Sequence, residues 1–323
     1  MPFLHIIVLG YGNFAQTTRR CLESLLPIPK EVRVTLFDNG SPDDSPKLQT
    51  QFVQQYPEIS SVIHSTNLGY AGGMNAAVDS NADGEWLMLV GSDTIFHPNA
   101  LNIMQEAMKV VPPKIGILGP VTNSAGTAQG LTALGKTDQE VFNRWDQLYL
   151  VVEPLMRPLY RADFFCVAIR KSLWDALGGL DLSYGLGYYE DFDFCMRAQA
   201  QGTTCVMVDN ALVFHQGSAS FSQDPRQKQL LKTNKRKFVE KFPRAELRHT
   251  RLDQFKTLQQ ILASHIDARE APSSSIQSLR DQLISIRFET LQKDQPKSPL
   301  KKWFWRRKIQ RLERQLKASN LIH

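Results

Sequence analysis

No run of apolar residues in this 323-residue chain approaches the length needed to cross a bilayer, so no membrane span is expected. The apolar start from Phe3 to Leu9 is too short for a secretory leader and lacks its basic flank; it reads as a first strand. Cysteine is scarce. The four thiols, Cys21, Cys166, Cys195 and Cys205, lack the spacing of a metal site, and three lie in apolar runs, as expected of buried thiols in a reducing cytoplasm. Acid is scarce toward the C-terminus: residues 226–323 hold 24 Lys or Arg against 9 Asp or Glu, a net of +15, which leaves residues 1–225 at −9. An acidic body that handles an anionic substrate recruits a divalent cation, whereas a basic tail seeks phosphate-rich partners. No recognised nucleic-acid module accompanies the charge, so nucleic acid is not expected. The length suits one large α/β domain, expected over residues 1–222, followed by a basic helical extension over 223–323.

Strand His5–Leu9 runs into Gly10-Tyr11-Gly12-Asn13-Phe14-Ala15, then a helical pattern from Thr17 to Leu26 and a strand from Val32 to Phe37 ending in Asp38. This is the context of a G-x-G-x-x-A dinucleotide turn, and it keeps an NAD-dependent Rossmann oxidoreductase among the readings. Against it, Asp38 continues into Asn39-Gly40-Ser41-Pro42-Asp43-Asp44, more acidic than a ribose-binding strand end requires. A strand at Ser61–His64 leads into Asn67-Leu68-Gly69-Tyr70-Ala71-Gly72-Gly73-Met74-Asn75. Glycines such as Gly69 let backbone approach a ligand closely, and Asn67 and Asn75 offer donors and acceptors to sugar or phosphate oxygens. The strand Trp86–Val90 ends at Gly91-Ser92-Asp93-Thr94, which sets Ser92 and Asp93 at the carboxyl edge where open α/β sheets bind ligands. After the strand Ile115–Leu118, the loop Thr122–Gly135 suits a lid, an acceptor-binding segment or an ordinary surface excursion. Strands Phe164–Ile169 and Thr204–Val208 follow, then Val213-Phe214-His215-Gln216-Gly217, where His215 suits a metal ligand as well as a structural histidine.

Between these lies Tyr188–Arg197, read YYEDFDFCMR, with Glu190, Asp191 and Asp193 within four positions. Phe194, Met196, Ala198 and Ala200 predict a buried helix stopped by Gly202, with Glu190 and Asp191 at its start. A helix N-terminus favours negative charge, so these acids are expected to stay ionised near neutral pH, a state suited to a general base.

The succession DNGSPDDS, NLGYAGGMNAAV, GSDT, GGLDLSYGLGYYEDFDFCMRAQAQG and VFHQGSAS resembles the family 2 glycosyltransferases over residues 4–220, most closely their rhamnosyltransferase and galactofuranosyltransferase branch. The resemblance implies a GT-A fold, Rossmann-like with a mostly parallel sheet between helices. It also implies a nucleoside-diphosphate-sugar donor such as dTDP-rhamnose or a UDP-sugar, a Mn²⁺ or Mg²⁺ ion, and inversion at the anomeric carbon. Carried over, Asp38 would contact the base or ribose, and Asn67 and Asn75 would line the donor pocket. Asp93 would bind the metal as the last acid of a DxD motif, with His215 completing the site. Asp191 would be the catalytic base, with Glu190 positioning base or acceptor. Two departures stand out: Gly91 occupies the place of the first DxD acid, and Gly10-Tyr11-Gly12-Asn13 replaces a Pro-x-Tyr-Asn turn. The acceptor implied is a glycan or lipid-linked hydroxyl in surface polysaccharide synthesis. A non-catalytic nucleotide-sugar-binding scaffold is the competing reading.

In the tail, Leu252, Phe255, Leu258, Leu262 and Ile266 suit one amphipathic helix, and Ile276, Leu279, Leu283 and Ile286 another. Segments 271–275 and 295–299 separate these from a last helix carrying Lys301-Lys302-Trp303-Phe304-Trp305-Arg306-Arg307-Lys308, with Ile309, Leu312 and Leu316 on the face of Trp305. Aromatic residues amid cations suit a helix lying on an anionic membrane, which would make the protein peripheral on the inner face. Packing on the catalytic domain or pairing in an oligomer suits the same pattern.

Overall fold

The computed structural model describes residues 2–148, 151–217, 227–247, 250–267, 274–319 and 321. In chain order these contain β1 (Leu4–Gly10), α1 (Thr18–Glu23), β2 (Val32–Asn39), α2 (Ser45–Gln55), β3 (Ile59–His64), α3 (Gly69–Asn81), β4 (Trp86–Gly91), β5 (Thr94–Phe96), α4 (Ala100–Val110), β6 (Ile115–Val121) and α5 (Asp138–Trp145). There follow β7 (Met156–Leu159), β8 (Cys166–Arg170), α6 (Lys171–Leu177), a 3₁₀ turn (Leu182–Tyr184), α7 (Glu190–Ala200), β9 (Thr204–His215), α8 (Gln227–Lys241), α9 (Thr250–Asp267), α10 (Ser274–Lys293) and α11 (Pro299–Ala318). Residues 218–220 of the VFHQGSAS stretch and 271–273 of the expected linker lie outside the described residues.

The sheet runs β3-β2-β1-β4-β8-β6-β9-β5, with β7 also paired to β9. Its first four strands are parallel; β8 enters antiparallel to both β4 and β6, and β9 returns parallel to β6. Strands covered on both faces read as continuous apolar runs, which is why LHIIVLG and WLMLVG show no alternation. Successive side chains still point to opposite faces. Ile7, Leu9, Leu87 and Leu89 enter the core containing α3, α6 and α7, whereas Ile6, Val8, Met88 and Val90 enter the one beneath α1, α2 and α4.

The sequence suggests two strands around Asp209-Asn210; the structure has one, β9, with a register shift where Pro120 and Val121 face Val208 and Leu212. Both polar residues are buried and used. Asn210 accepts from the Leu155 amide at 2.8 Å and donates to the Val151 and Glu153 carbonyls, and Asp209 pairs with Arg157 and with Arg287 of α10. Arg287 and Asp209 are both fully buried, and removing one partner of such a pair costs about 3–5 kcal/mol.

The helices beyond residue 222 do not stand apart from the sheet. Phe238 of α8 and Leu279, Leu283 and Ile286 of α10 belong to the same core as Ile7 and Phe194. A second cluster lies within the tail, where Leu258 and Ile261 of α9, Ile284, Phe288 and Leu291 of α10, and Trp305, Ile309, Leu312 and Leu316 of α11 pack together. The loop Thr122–Gly135, expected to be a lid or a surface excursion, is instead tied down by the tail. Gln254 donates to the carbonyls of Ala128 and Gly130, Arg287 to that of Ala128, and the Thr250 hydroxyl to that of Ala125.

Candidate functional site

A cleft of about 760 Å³ opens at the carboxyl ends of β1, β2 and β4 and is closed by β9, the start of α7, and α8. One wall comes from the ends of the parallel strands. Asn39, at the end of β2, is buried: it donates to the side chain of Asn67 at 3.3 Å and to the Gly69 carbonyl at 3.0 Å, and accepts from the Leu68 amide at 3.1 Å. Asn67 in turn accepts from the Gly69 amide at 2.8 Å. Gly69 has φ +73°, and a Cβ there would sit 2.7 Å from the Gly185 carbonyl, so glycine is needed for the chain to pass Gly185-Leu186. Asn39, Asn67, Gly69, Tyr11, Ser92 and Asp93 all line the cleft.

Pairing of β5 with β9 sets Thr94 opposite His215, which brings the His215 Nε2 to 3.5 Å from Asp93 Oδ2. The ring stacks on Phe165 and its Nδ1 lies 3.0 Å from the Ser124 carbonyl, while Asn123 clamps the His215 backbone in both directions. Burial alone pushes this imidazole down, but the hydrogen bond and charge of Asp93, helped by the Ser124 carbonyl, carry its pKa above the ordinary value.

The other wall is the start of α7 and what surrounds it. Tyr188 and Tyr189 have φ +71° and +79°, a left-handed conformation that is costly for bulky residues and is held only where neighbours enforce it. Here α8 enforces it. The Asn234 amide is buried and reaches the carbonyls of Tyr184 and Gly187 at 2.8 Å and of Tyr188 at 3.1 Å, and Gln227 donates to the Tyr188 hydroxyl. Phe238 stacks on Phe192 at 4.3 Å and lies against Tyr189. Behind the turn, Asp193 is fully buried, receiving Arg197, Lys241 and the Tyr184 hydroxyl, and so anchors the helix.

That turn presents Glu190 and Asp191 to the cleft. Burial, reinforced by the charge of Asp191, pushes Glu190 up to about 8, and its Oε2 has no hydrogen-bond partner. Burial likewise pushes Asp191 up to about 6; Arg161 opposes the rise and Asp163 adds to it. Glu190 therefore departs from the ionised acid expected of a helix start, because desolvation outweighs the helix dipole there, whereas Asp191, though shifted upward, stays ionised near neutral pH as expected. Arg161 lies 3.7 Å from Asp191, 2.6 Å from Asp163, and over the Phe192 ring at 4.5 Å. Asp163 also accepts from the Gly126 amide.

The sequence profile named Glycosyl transferase family 2 matches residues 5–171, just over half the chain. The chain belongs to glycosyltransferase family 2. It is 27% identical over 246 residues, 69% of this chain and 78% of the relative, to the N-acetylglucosaminyl-diphospho-decaprenol L-rhamnosyltransferase of Mycobacterium tuberculosis. A mannosyltransferase from Pyrobaculum calidifontis, solved with GDP-Man and Mn²⁺, matches at TM-score 0.51 and 14% identity over 91% of this chain and 76% of its own. GalNAc-T7, solved with UDP, GalNAc and Mn²⁺, matches at TM-score 0.55 and 15% identity over 87% of this chain and 55% of its own. These structures share the GT-A fold of this glycosyltransferase.

The first turn is built differently from a dinucleotide site. The Gly12 amide donates to Ser41 Oγ at 2.7 Å, Asn13 to Asp43 at 2.8 Å and Phe14 to Ser45 Oγ at 3.1 Å, so the amides a pyrophosphate would require are already engaged. Asp38 is buried and accepts from the Gly40 and Ser41 amides and the Ser41 hydroxyl; it holds its own turn and does not line the cleft. Asn75 also lies outside the cleft lining: its side chain accepts from the Leu180 amide and donates to the Leu180 carbonyl, both at 2.9 Å. In this structure, then, Asp38 and Asn75 are held by local hydrogen bonds behind the cleft lining. At Gly91 a Cβ would sit 3.1 Å from Asp93 Oδ1 and 3.4 Å from the Phe165 carbonyl, so the strand end is packed for glycine where the DxD motif has its first acid.

Asp93 and His215 fit a divalent ion of the Mn²⁺ or Mg²⁺ kind. With Nδ1–H donating to the Ser124 carbonyl, Nε2 faces Asp93, and on loss of its proton to an incoming cation it would offer its lone pair beside that carboxylate. Two protein donors leave coordination positions for phosphate oxygens and water. Among the described residues no third His, Cys or carboxylate joins them.

Proposed function

We propose that this glycosyltransferase is inverting and metal-dependent, moving a sugar from a nucleoside-diphosphate donor, dTDP-rhamnose or a UDP-sugar, to a hydroxyl of a glycan or lipid-linked acceptor in surface polysaccharide synthesis. The observation that carries the reading is the placement of two unlike groups in one cleft: the Asp93–His215 pair and the desolvated carboxylate of Asp191. Asp93 and His215 would hold the cation, which when bound would supply Lewis acidity toward the departing diphosphate. Asp191 takes the proton from the attacking hydroxyl, and its pKa near 6 leaves it ionised yet basic at neutral pH. Glu190, neutral there, donates its proton as a hydrogen bond to the acceptor or to Asp191. The rhamnosyltransferase relative and the Mn²⁺-bearing neighbours support the donor and metal classes. The acceptor side of the cleft carries Leu231, Lys235 and Leu247 from the tail, a combination of cation and apolar surface that suits a lipid-linked diphosphate.

The test is calorimetry with dTDP, UDP and GDP, each with and without Mn²⁺, on wild type and Asp93→Ala, followed by NMR of the product from the donor so identified. Nucleotide binding that needs both Mn²⁺ and Asp93, with an inverted anomeric configuration in the product, is expected. A retained configuration overturns the inverting reading. Donor binding without turnover, for which the glycine at position 91 is the motive, would make the protein a nucleotide-sugar-binding scaffold.

A further inference from the structure

We infer that the outward face of α11 docks on an anionic phospholipid bilayer. The sequence places Trp305 with Ile309, Leu312 and Leu316, and that stripe is the one buried inside the tail, where Trp305 Nε1 donates to the Leu291 carbonyl at 3.3 Å. The helix is therefore already held on its inner side. Among the described residues nothing buries its outer side: Leu300, Trp303 and Phe304 are 68%, 48% and 55% exposed. Positions 300, 303, 304 and 307 are spaced by three and four, so they share one face. The Trp303 and Phe304 rings meet edge to face at 4.8 Å, and the Arg307 guanidinium lies over Trp303 at 4.1 Å.

Charge selects the occupant. Residues 299–318 hold eight Lys or Arg and a single acid, Glu313. A second copy of this chain would bring two such cationic faces together, which repulsion disfavours. Nucleic acid would use the cations and stack on the rings but would leave the most exposed residue of the face, Leu300, without a role, and no RNA-binding module accompanies them. A bilayer with anionic headgroups uses both: each Lys or Arg near its surface is drawn to the headgroups, and Trp and Phe insert at their level. Because the inner stripe stays buried, the helix docks without leaving its own core.

The experiment is flotation of the full-length protein with vesicles of phosphatidylcholine alone or with phosphatidylglycerol, at low and high salt. The variants are Trp303→Ser/Phe304→Ser and Arg306→Gln/Arg307→Gln. Expected are binding to the anionic vesicles only, a loss of tenfold or more in the aromatic variant, and a smaller loss with weaker salt dependence in the basic variant. A blue shift of wild-type tryptophan fluorescence on adding anionic vesicles, absent in the aromatic variant, supports the same face. The inference is overturned if wild type does not float with anionic vesicles, if the aromatic variant floats equally well, or if wild type is an oligomer that the aromatic substitutions disperse. Binding to single-stranded RNA with no vesicle binding also overturns it. Vesicle binding requires no sugar transfer, so this result and that of the donor experiment fail separately.

Discussion

The two walls of the cleft hold their side chains by different means. On the strand-end wall, Ser92 and Asp93 stand where β4 stops, and His215 is placed beside them by one antiparallel pairing between β5 and β9. On the opposite wall, Glu190 and Asp191 are aimed by two left-handed tyrosines that would relax without Asn234, Gln227 and Phe238 of α8. The first wall is regular structure ending where chemistry is needed. The second is strained backbone maintained by a helix that begins 39 residues beyond Tyr188, so its geometry depends on the tail.

If the walls divide the labour, the sharpest contrast is between Asp191→Asn and Asp93→Ala. The first should lower turnover by roughly 10²–10⁴-fold with nucleotide affinity unchanged, and the second should abolish Mn²⁺-dependent nucleotide binding. Equal effects of the two substitutions on donor affinity would erase the distinction. Next in size is the tail's hold on the body. Arg287→Ala strips Asp209 of its buried partner and should cost about 3–5 kcal/mol in urea unfolding, with one cooperative transition for body and tail; separate transitions would show that the tail folds by itself.

Asn234→Ala tests the second wall alone. It leaves buried carbonyls at 184, 187 and 188 without their donor, each at about 1–3 kcal/mol, and kcat should fall while the donor dissociation constant holds. A loss confined to donor affinity would place α8 on the wrong wall.

The smallest effects concern pH. If Asp191 is the base proposed above, it acts deprotonated, and with its pKa raised to about 6 turnover at saturating Mn²⁺ should climb as pH rises through that value. Arg161→Gln removes the positive charge that holds this carboxyl down and should move the limb upward by about one pH unit. For Glu190 the folded-state pKa lies above the unfolded one, so ionisation opposes folding and stability declines as pH rises from the ordinary glutamate range toward 8. Glu190→Gln should therefore be more stable relative to wild type at pH 8 than at pH 5, as read by thermal unfolding.

Much of the first wall was legible because its residues sit beside strong local signals. Val90 ends an unbroken apolar run, so Ser92 and Asp93 had to lie at a sheet edge; the glycine-rich loop marked Asn67 and Gly69. The second wall was half legible. The acids of YYEDFDFCMR announced themselves, but Arg161, Asp163 and Asn234 sit in unremarkable sequence. Only Tyr188-Tyr189, two bulky residues where a helix begins, hinted that something distant must constrain the turn. Asp38 and Asn75 show the converse, since these polar motif residues are engaged by hydrogen bonds to Ser41 and Leu180, which no local pattern announced.

By itself, then, the sequence determined the strand-and-helix alternation, the mixed chemistry of acids and histidine, and the amphipathic stripes of the tail, because periodicity and chain-local capping decide these. Tertiary structure alone decided the upward shifts of Glu190 and Asp191, the burial of Arg287 against Asp209, and which face of α11 is left exposed among the described residues. Those depend on which distant surface removes water from each group, and desolvation is not a property of neighbours in sequence.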